Sequence, residues 1–155
     1  MKKRELCLIF QKEKSFWPVK RAFAALYYSF KYSYGYAVAG APQSYLGLFL
    51  LEQHKDSDIV EVAKFIAGDD EIVARKYLDE LIFKTVEDSD SHPKVFIHVG
   101  KGDHHYWKHV IPFINHLEKL EISYQLDLAD YNSHSELVEY YPPYLLKTIR
   151  SIIGA

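Results

Sequence analysis

Residues 98–107, HVGKGDHHYW, place one aspartate and three histidines within ten positions, directly behind an apolar run. Side chains of these types support three chemistries. A carboxylate that accepts the Nδ1 proton of an imidazole fixes its tautomer and leaves Nε2 as a base for a nucleophilic hydroxyl. Alternatively, His105 and His109 stand four apart and share a helix face, and with His98, Asp103 and His116 they offer a set of metal ligands. The plainest reading is a polar loop in which Asp103 caps the helix beginning HHYWKHV, a role compatible with the first. His134 is the further imidazole of interest, and Ser44, Ser133 and Ser135 are the hydroxyls to consider. None of these serines sits in an elbow-like turn, and each reads as a turn or capping residue. The histidine spacing is not that of a compact zinc motif and has no cysteine partner, so the sequence assigns no metal and no cofactor.

Strands must deliver these groups to one place. KVFIHVG, residues 94–100, is apolar and β-branched, as a strand buried on both faces would be, and SYQLDLADY alternates as a strand over 123–129. GYAVAGAP, residues 35–42, is a short apolar run bounded by glycine and proline, again strand-like. RAFAALYYSFKY, residues 21–32, predicts a helix buried on several sides. The stretch from Asp56 to Asp88 predicts two helices: Asp56 or Ser57 caps the first, Gly68 ends it, and Asp69 or Asp70 caps the second. YWKHVIPFINHLEKLE predicts an amphipathic helix kinked at Pro112, and SELVEYYPPYLLKTIRSIIG a final helix interrupted at Pro142 and Pro143. Helices alternating with strands predict the α/β class, a parallel sheet flanked by helices. In such sheets functional groups gather at the carboxyl ends of the strands. Asp103 follows one strand and His134 the next, so both reach the same edge, where Gln43 could also line a pocket.

Composition limits the partners. The 155 residues suit one domain, able to bury about 68–70% of the surface its unfolded chain exposes. With 19 Lys+Arg against 21 Asp+Glu there is no broad cationic field, so nucleic acid is not an expected partner. A single cysteine, Cys7, forbids an internal disulfide, and the short apolar run in MKKRELCLIF is followed at once by QKEK. These features read as an unprocessed, cytoplasmic chain. The weakly polar region 35–51 is broken at Pro42 and is too short for a membrane span. The 13 tyrosines and 9 phenylalanines suit core packing first and a carbohydrate-binding surface second.

From Lys20 onward the chain resembles the C-terminal half of an α/β-hydrolase-fold protein. KRAFAALYYSFKYSYGYAVAGAPQSYLG is similar to the segment beginning at the nucleophile turn in bacterial hydrolase-like proteins of capsular polysaccharide biosynthesis and accessory secretion. VFIHVGKGDHHYW resembles the strand and acid turn, and YNSHSE the histidine turn. The resemblance implies a truncated α/β-hydrolase architecture, Rossmann-like and three-layered. It also implies serine esterase or O-acyltransferase ancestry, with the acid at Asp103, the base at His134, and a small ester or glycan substrate.

The pattern fails at the nucleophile. An elbow reads G-x-S-x-G, whereas the aligned WPVKR has Trp17, Val19 and Arg21 in place of Gly, Ser and Gly. The expected domain is thus a single partial one over 1–155, with 1–20 poorly matched and 21–155 hydrolase-like. The abrupt failure before Lys20 favours an interrupted gene over a natural half-domain. Three functions follow: an esterase or acyltransferase relic, inactive for want of a nucleophile; a noncatalytic binding or assembly module; and a metal-assisted hydrolase using the His98–His109 cluster. A sheet lacking its first strands would expose an edge, which invites a homodimer or a protein partner.

Overall fold

The computed structural model describes residues 18–155. Helix α1 (Pro18–Lys31) leads into strand β1 (Tyr36–Gly40); helices α2 (Gly47–Gln53), α3 (Asp58–Ala67) and α4 (Glu71–Glu87) follow, then β2 (Lys94–Gly100). A π-type turn at Tyr106–Val110 opens α5 (Ile111–Lys119). β3 (Tyr124–Ala129), a 3-10 turn at His134–Glu136 and α6 (Leu137–Ile153) complete the chain. The strands form one parallel sheet in the order β1-β2-β3, with His98 in register between Gly40 and Asp127. The parallel α/β architecture expected from the strand–helix alternation is therefore present.

One face of the sheet, Ala37, Ala39, Val95, Ile97 and Val99, is buried in a single cluster with Leu26 and Phe30 of α1 and Leu78 and Ile82 of α4. In α4 the buried positions Ala74, Leu78, Ile82 and Val86 recur every fourth residue, which makes a continuous stripe against that cluster. Ser29, buried within α1, donates its hydroxyl proton to Tyr36 O (3.1 Å), so its burial leaves no orphan. Capping follows the sequence signals. Ser57 accepts from Val60 N–H, Gly68 takes the left-handed conformation that ends α3 (φ 57°), and Asp70 accepts from Ile72 and Val73 N–H.

Three elements differ from expectation. The helix α2 lies where only a weakly polar run was legible. Pro112 does not kink a helix interior; it stands in the first turn of α5, where a missing N–H is tolerated, and the irregularity is the π-turn before it. Pro142 and Pro143 lie inside an unbroken α6. That helix is pinned on both sides of the prolines, by buried Leu137 and Thr148, and by Tyr141, whose hydroxyl donates to Val38 O (3.3 Å). No described helix is long and apolar enough to cross a membrane.

On the other sheet face two tyrosines occupy the space above two glycines, Tyr141 from α6 and Tyr131 from the loop after β3. A Cβ on Gly40 would lie 2.6 Å from the Tyr141 ring, and one on Gly100 would penetrate the ring of Tyr131. Tyr131 is buried and stacked on Tyr140 (4.8 Å), so it has nowhere to move. Gly100→Ala should therefore cost about 1–3 kcal/mol by overpacking in a urea melt. Gly35→Ala, which meets nothing within 4 Å, should stay within about 0.5 kcal/mol of the parent.

Candidate functional site

Because β2 and β3 are parallel neighbours, the loops leaving their carboxyl ends emerge side by side. The pairing continues past the strands: Lys101 N–H donates to Ala129 O (2.9 Å) and Gly102 N–H to Tyr131 O (3.0 Å). The approach is so close at Gly102 that a Cβ would lie 2.5 Å from Asn132 Cα. The second loop is closed by a capping box, in which Ser133 is the cap and Glu136 accepts from the backbone N–H of Asn132 (3.0 Å) and Ser133 (2.8 Å). His134 starts the 3-10 turn that this box secures.

The zipped loops bring Asp103 and His134 together. His134 Nδ1–H donates to Asp103 Oδ2 at 2.8 Å, leaving Nε2 as the free ring nitrogen; the carboxylate is fully buried and the imidazole 24% exposed. Asp103 Oδ1 accepts from the His105 N–H (2.8 Å), so the same side chain is both cap and orienting acid. Burial works against ionisation of this carboxyl. The hydrogen bonds from His134 and from the His105 backbone nevertheless hold it below the ordinary 3.8.

Two further histidines tie this pair to the end of β1. His105 is buried and donates Nδ1–H to Ala41 O (2.9 Å), while its ring stacks on that of His134 with centroids 4.0 Å apart and planes 14° from parallel. His109, also buried, accepts at Nδ1 from the N–H groups of Ser44 (3.3 Å) and Tyr45 (3.4 Å). The neutral tautomers are thereby opposite, with the proton on Nδ1 in His105 and on Nε2 in His109. Ala41, immediately before Pro42, adopts φ 42°, a left-handed conformation that costs a non-glycine residue on the order of 1–3 kcal/mol. The turn 41–45 is thus strained and held by two imidazoles. Beside it, Gln43 lines a cleft of about 220 Å³ with Phe23, Leu46 and Phe49.

The other sequence candidates go elsewhere. His98 donates to Asp127 Oδ2 (2.6 Å) on the α6 face, and His116 meets Phe83 O (3.2 Å) and Glu87 (3.4 Å). Among the described residues no three His, Cys, Asp or Glu side chains gather into a metal-holding group. His105 and His109, which the sequence offered as ligands on one helix face, are both buried. Ser44 Oγ donates to His109 O (3.0 Å), and the hydroxyls of Ser133 and Ser135 bond each other (2.6 Å). No described serine hydroxyl is hydrogen-bonded to His134. Val19 stands in the opening turn of α1, and Trp17 lies outside the described residues. Sequence reasoning missed the stacking role of His105 and the hold of His109 on the 41–45 turn. The only available signal was the apolar spacing of His109, Val110 and Phe113 on one buried face.

No family model matches the chain, and no curated protein does. Solved structures do. The capsule O-acetyltransferase of Neisseria meningitidis serogroup A is 18% identical, with a TM-score of 0.70 over 85% of this chain and 54% of that one. A mutant of the same enzyme in complex with CoA gives 19% identity and a TM-score of 0.64 over 81% and 51%. The S-formylglutathione hydrolase of Staphylococcus aureus, as apoenzyme, gives 16% and 0.50 over 75% and 41%. The chain spans about half the length of the O-acetyltransferase structures. Over the part it spans it shares the α/β fold of these neighbours, in line with the architecture that the resemblance implied.

The buried histidines have a consequence for stability. Burial first, and then the neighbouring His134, lowers His105 from 6.5 to about 4; burial first, and then His105, lowers His109 to about 3. Below pH 6.5 the unfolded chain takes up protons that the folded chain refuses, so stability is full above 6.5 and falls as pH drops toward 4. Asp103 acts lower, its contribution being lost as pH falls below its ordinary 3.8. Unfolding free energies from urea melts at pH 7.0 and 4.5 should differ by on the order of a few kcal/mol. His109→Asn, which keeps an acceptor for Ser44 and Tyr45 but cannot titrate, should flatten that slope.

Proposed function

We propose that this chain carries the acid–base half of a serine-type acyl-transfer site, with His134 as the base and Asp103 as the acid that orients it. The bond between a fully buried carboxylate and a partly exposed imidazole, 2.8 Å long, carries the reading. Asp103 fixes the tautomer, and His134 Nε2 takes the proton of a hydroxyl as its oxygen bonds to an acyl carbonyl carbon. Collapse of the adduct returns that proton to the leaving group, and the acyl group passes to water or to a second hydroxyl. Fold neighbours that include a capsule O-acetyltransferase, one form of it in complex with CoA, favour a thioester or ester donor and a sugar hydroxyl acceptor.

No hydroxyl among the described residues occupies the nucleophile's place, and Val19 cannot serve. The expected outcome is that this chain by itself does not turn over simple acyl esters. A fluorophosphonate probe with mass spectrometry tests this, and the folded protein should remain unlabelled. A serine labelled in the parent but not in His134→Ala or Asp103→Asn would overturn the inactivity while supporting the base. Labelling indifferent to His134 would remove the base role.

A noncatalytic assembly module is the second reading. Phe65 on α3 and Ile72 on α4 are 89% and 82% exposed, and the outer edge of β1 pairs with no described strand. Sedimentation at micromolar concentration should show self-association. A clean monomer with little binding of a hydrophobic dye would speak against this module.

A further inference from the structure

We infer that His105 is a positioning residue for the base, its flat ring being the wall that holds the His134 imidazole in one orientation about its bond to Asp103. This rests on the reading of His134 as a base.

A single hydrogen bond to Asp103 fixes which nitrogen of His134 carries the proton, but coupled rotation about the two side-chain torsions can still tilt the ring plane while keeping that bond. A base must aim Nε2 at one point in space, so a second constraint on the ring plane is required. The near-parallel contact with His105 supplies one. The wall itself is fixed at two ends. The backbone of His105 is bonded to Asp103 Oδ1, and its ring is bonded through Nδ1–H to Ala41 O. One carboxylate therefore positions both the base and the surface against which it lies. His104 adds an edge contact to both rings, 4.6 Å from His105 and 5.5 Å from His134, but it is 56% exposed and makes no hydrogen bond of its own to the β1 turn.

Chemistry also requires that this wall be uncharged. When His134 takes up a proton, a cation beside its face would oppose the step, whereas a neutral aromatic face does not. Burial keeps His105 neutral at physiological pH. The groups facing it are His134, His104, His109, the Asp103 carboxylate and the Ala41 carbonyl; among these only Asp103 carries a full charge while the imidazoles are neutral. The bond to Ala41 also explains why the ring does not turn away: its donor closes the strained turn at the end of β1.

The test is proton NMR of the ¹⁵N-labelled full chain, reading the low-field Nδ1–H resonance of His134, assigned by its disappearance in His134→Gln. His105→Phe keeps the plane and loses the donor to Ala41; His105→Gln keeps a donor and loses the plane. The resonance should persist in the parent and in His105→Phe and be lost to solvent exchange in His105→Gln, with native amide dispersion in each. Persistence in His105→Gln would overturn the wall, and loss in His105→Phe alone would overturn it and assign the effect to the Ala41 bond. No turnover is needed for this readout. Serine labelling indifferent to His134 would count against the acyl-transfer reading and leave the wall standing, whereas a resonance indifferent to the plane would count against the wall alone.

Discussion

A carboxylate buried to zero exposure is the constraint around which this edge of the molecule is arranged. An ionised group taken out of water is retained only if both its oxygens find donors. Asp103 finds them in the His134 ring and the His105 backbone, one from each side. The first donor must come from the loop after β3, which requires the parallel register of β2 and β3 and the glycine that lets the two loops touch. The second requires the chain to turn into a helix directly after Asp103. Register, close approach and capping are thus not independent features, because loss of any one leaves an uncompensated charge inside the protein.

The second dependence runs through β1. The strand ladder reaches only as far as Ala41, whose N–H donates to His98 O (2.6 Å), and a left-handed alanine before a proline is an unfavourable conformation. Two buried imidazoles hold it by opposite roles, one donating and one accepting. The acceptor role of His109 exists only in the neutral ring, so keeping protons away from His109 is a structural requirement of the turn, whereas the donor role of His105 survives in either state.

Much of this was legible in the residues. Strand boundaries at Lys94–Gly100 emerged from an apolar run that no amphipathic helix would carry, and Ser57, Gly68 and Asp70 punctuated α3 and α4 because capping is a local, backbone-level demand. Asp103 and His134 could be paired because parallel strands deliver successive carboxyl ends to one edge. What stayed hidden was long-range. The stack of His105 on His134 and the bond to Ala41 join residues far apart in sequence, and an i, i+4 histidine pair looks the same whether it faces water or a core. The prolines of α6 misled for the opposite reason: a local rule against helix interiors was overridden by tertiary contacts on both flanks. The pairing of His98 with Asp127 needed the register itself, since one lies in a run of apolar neighbours and the other on an alternating strand.

The sheet connections also differ in the chain entropy they cost. Joining β1 to β2 closes a loop from Gly40 to Lys94 that contains three helices, whereas joining β2 to β3 closes only the stretch from Gly100 to Tyr124. The shorter closure loses less chain entropy, by on the order of half a kcal/mol, which favours pairing of β2 with β3 ahead of β1. Asp103, His105 and His134 all belong to that unit. The side chains of Asp103, His105 and His134 therefore meet without any part of β1, and the bond from His105 to Ala41 is what ties that unit to the first strand.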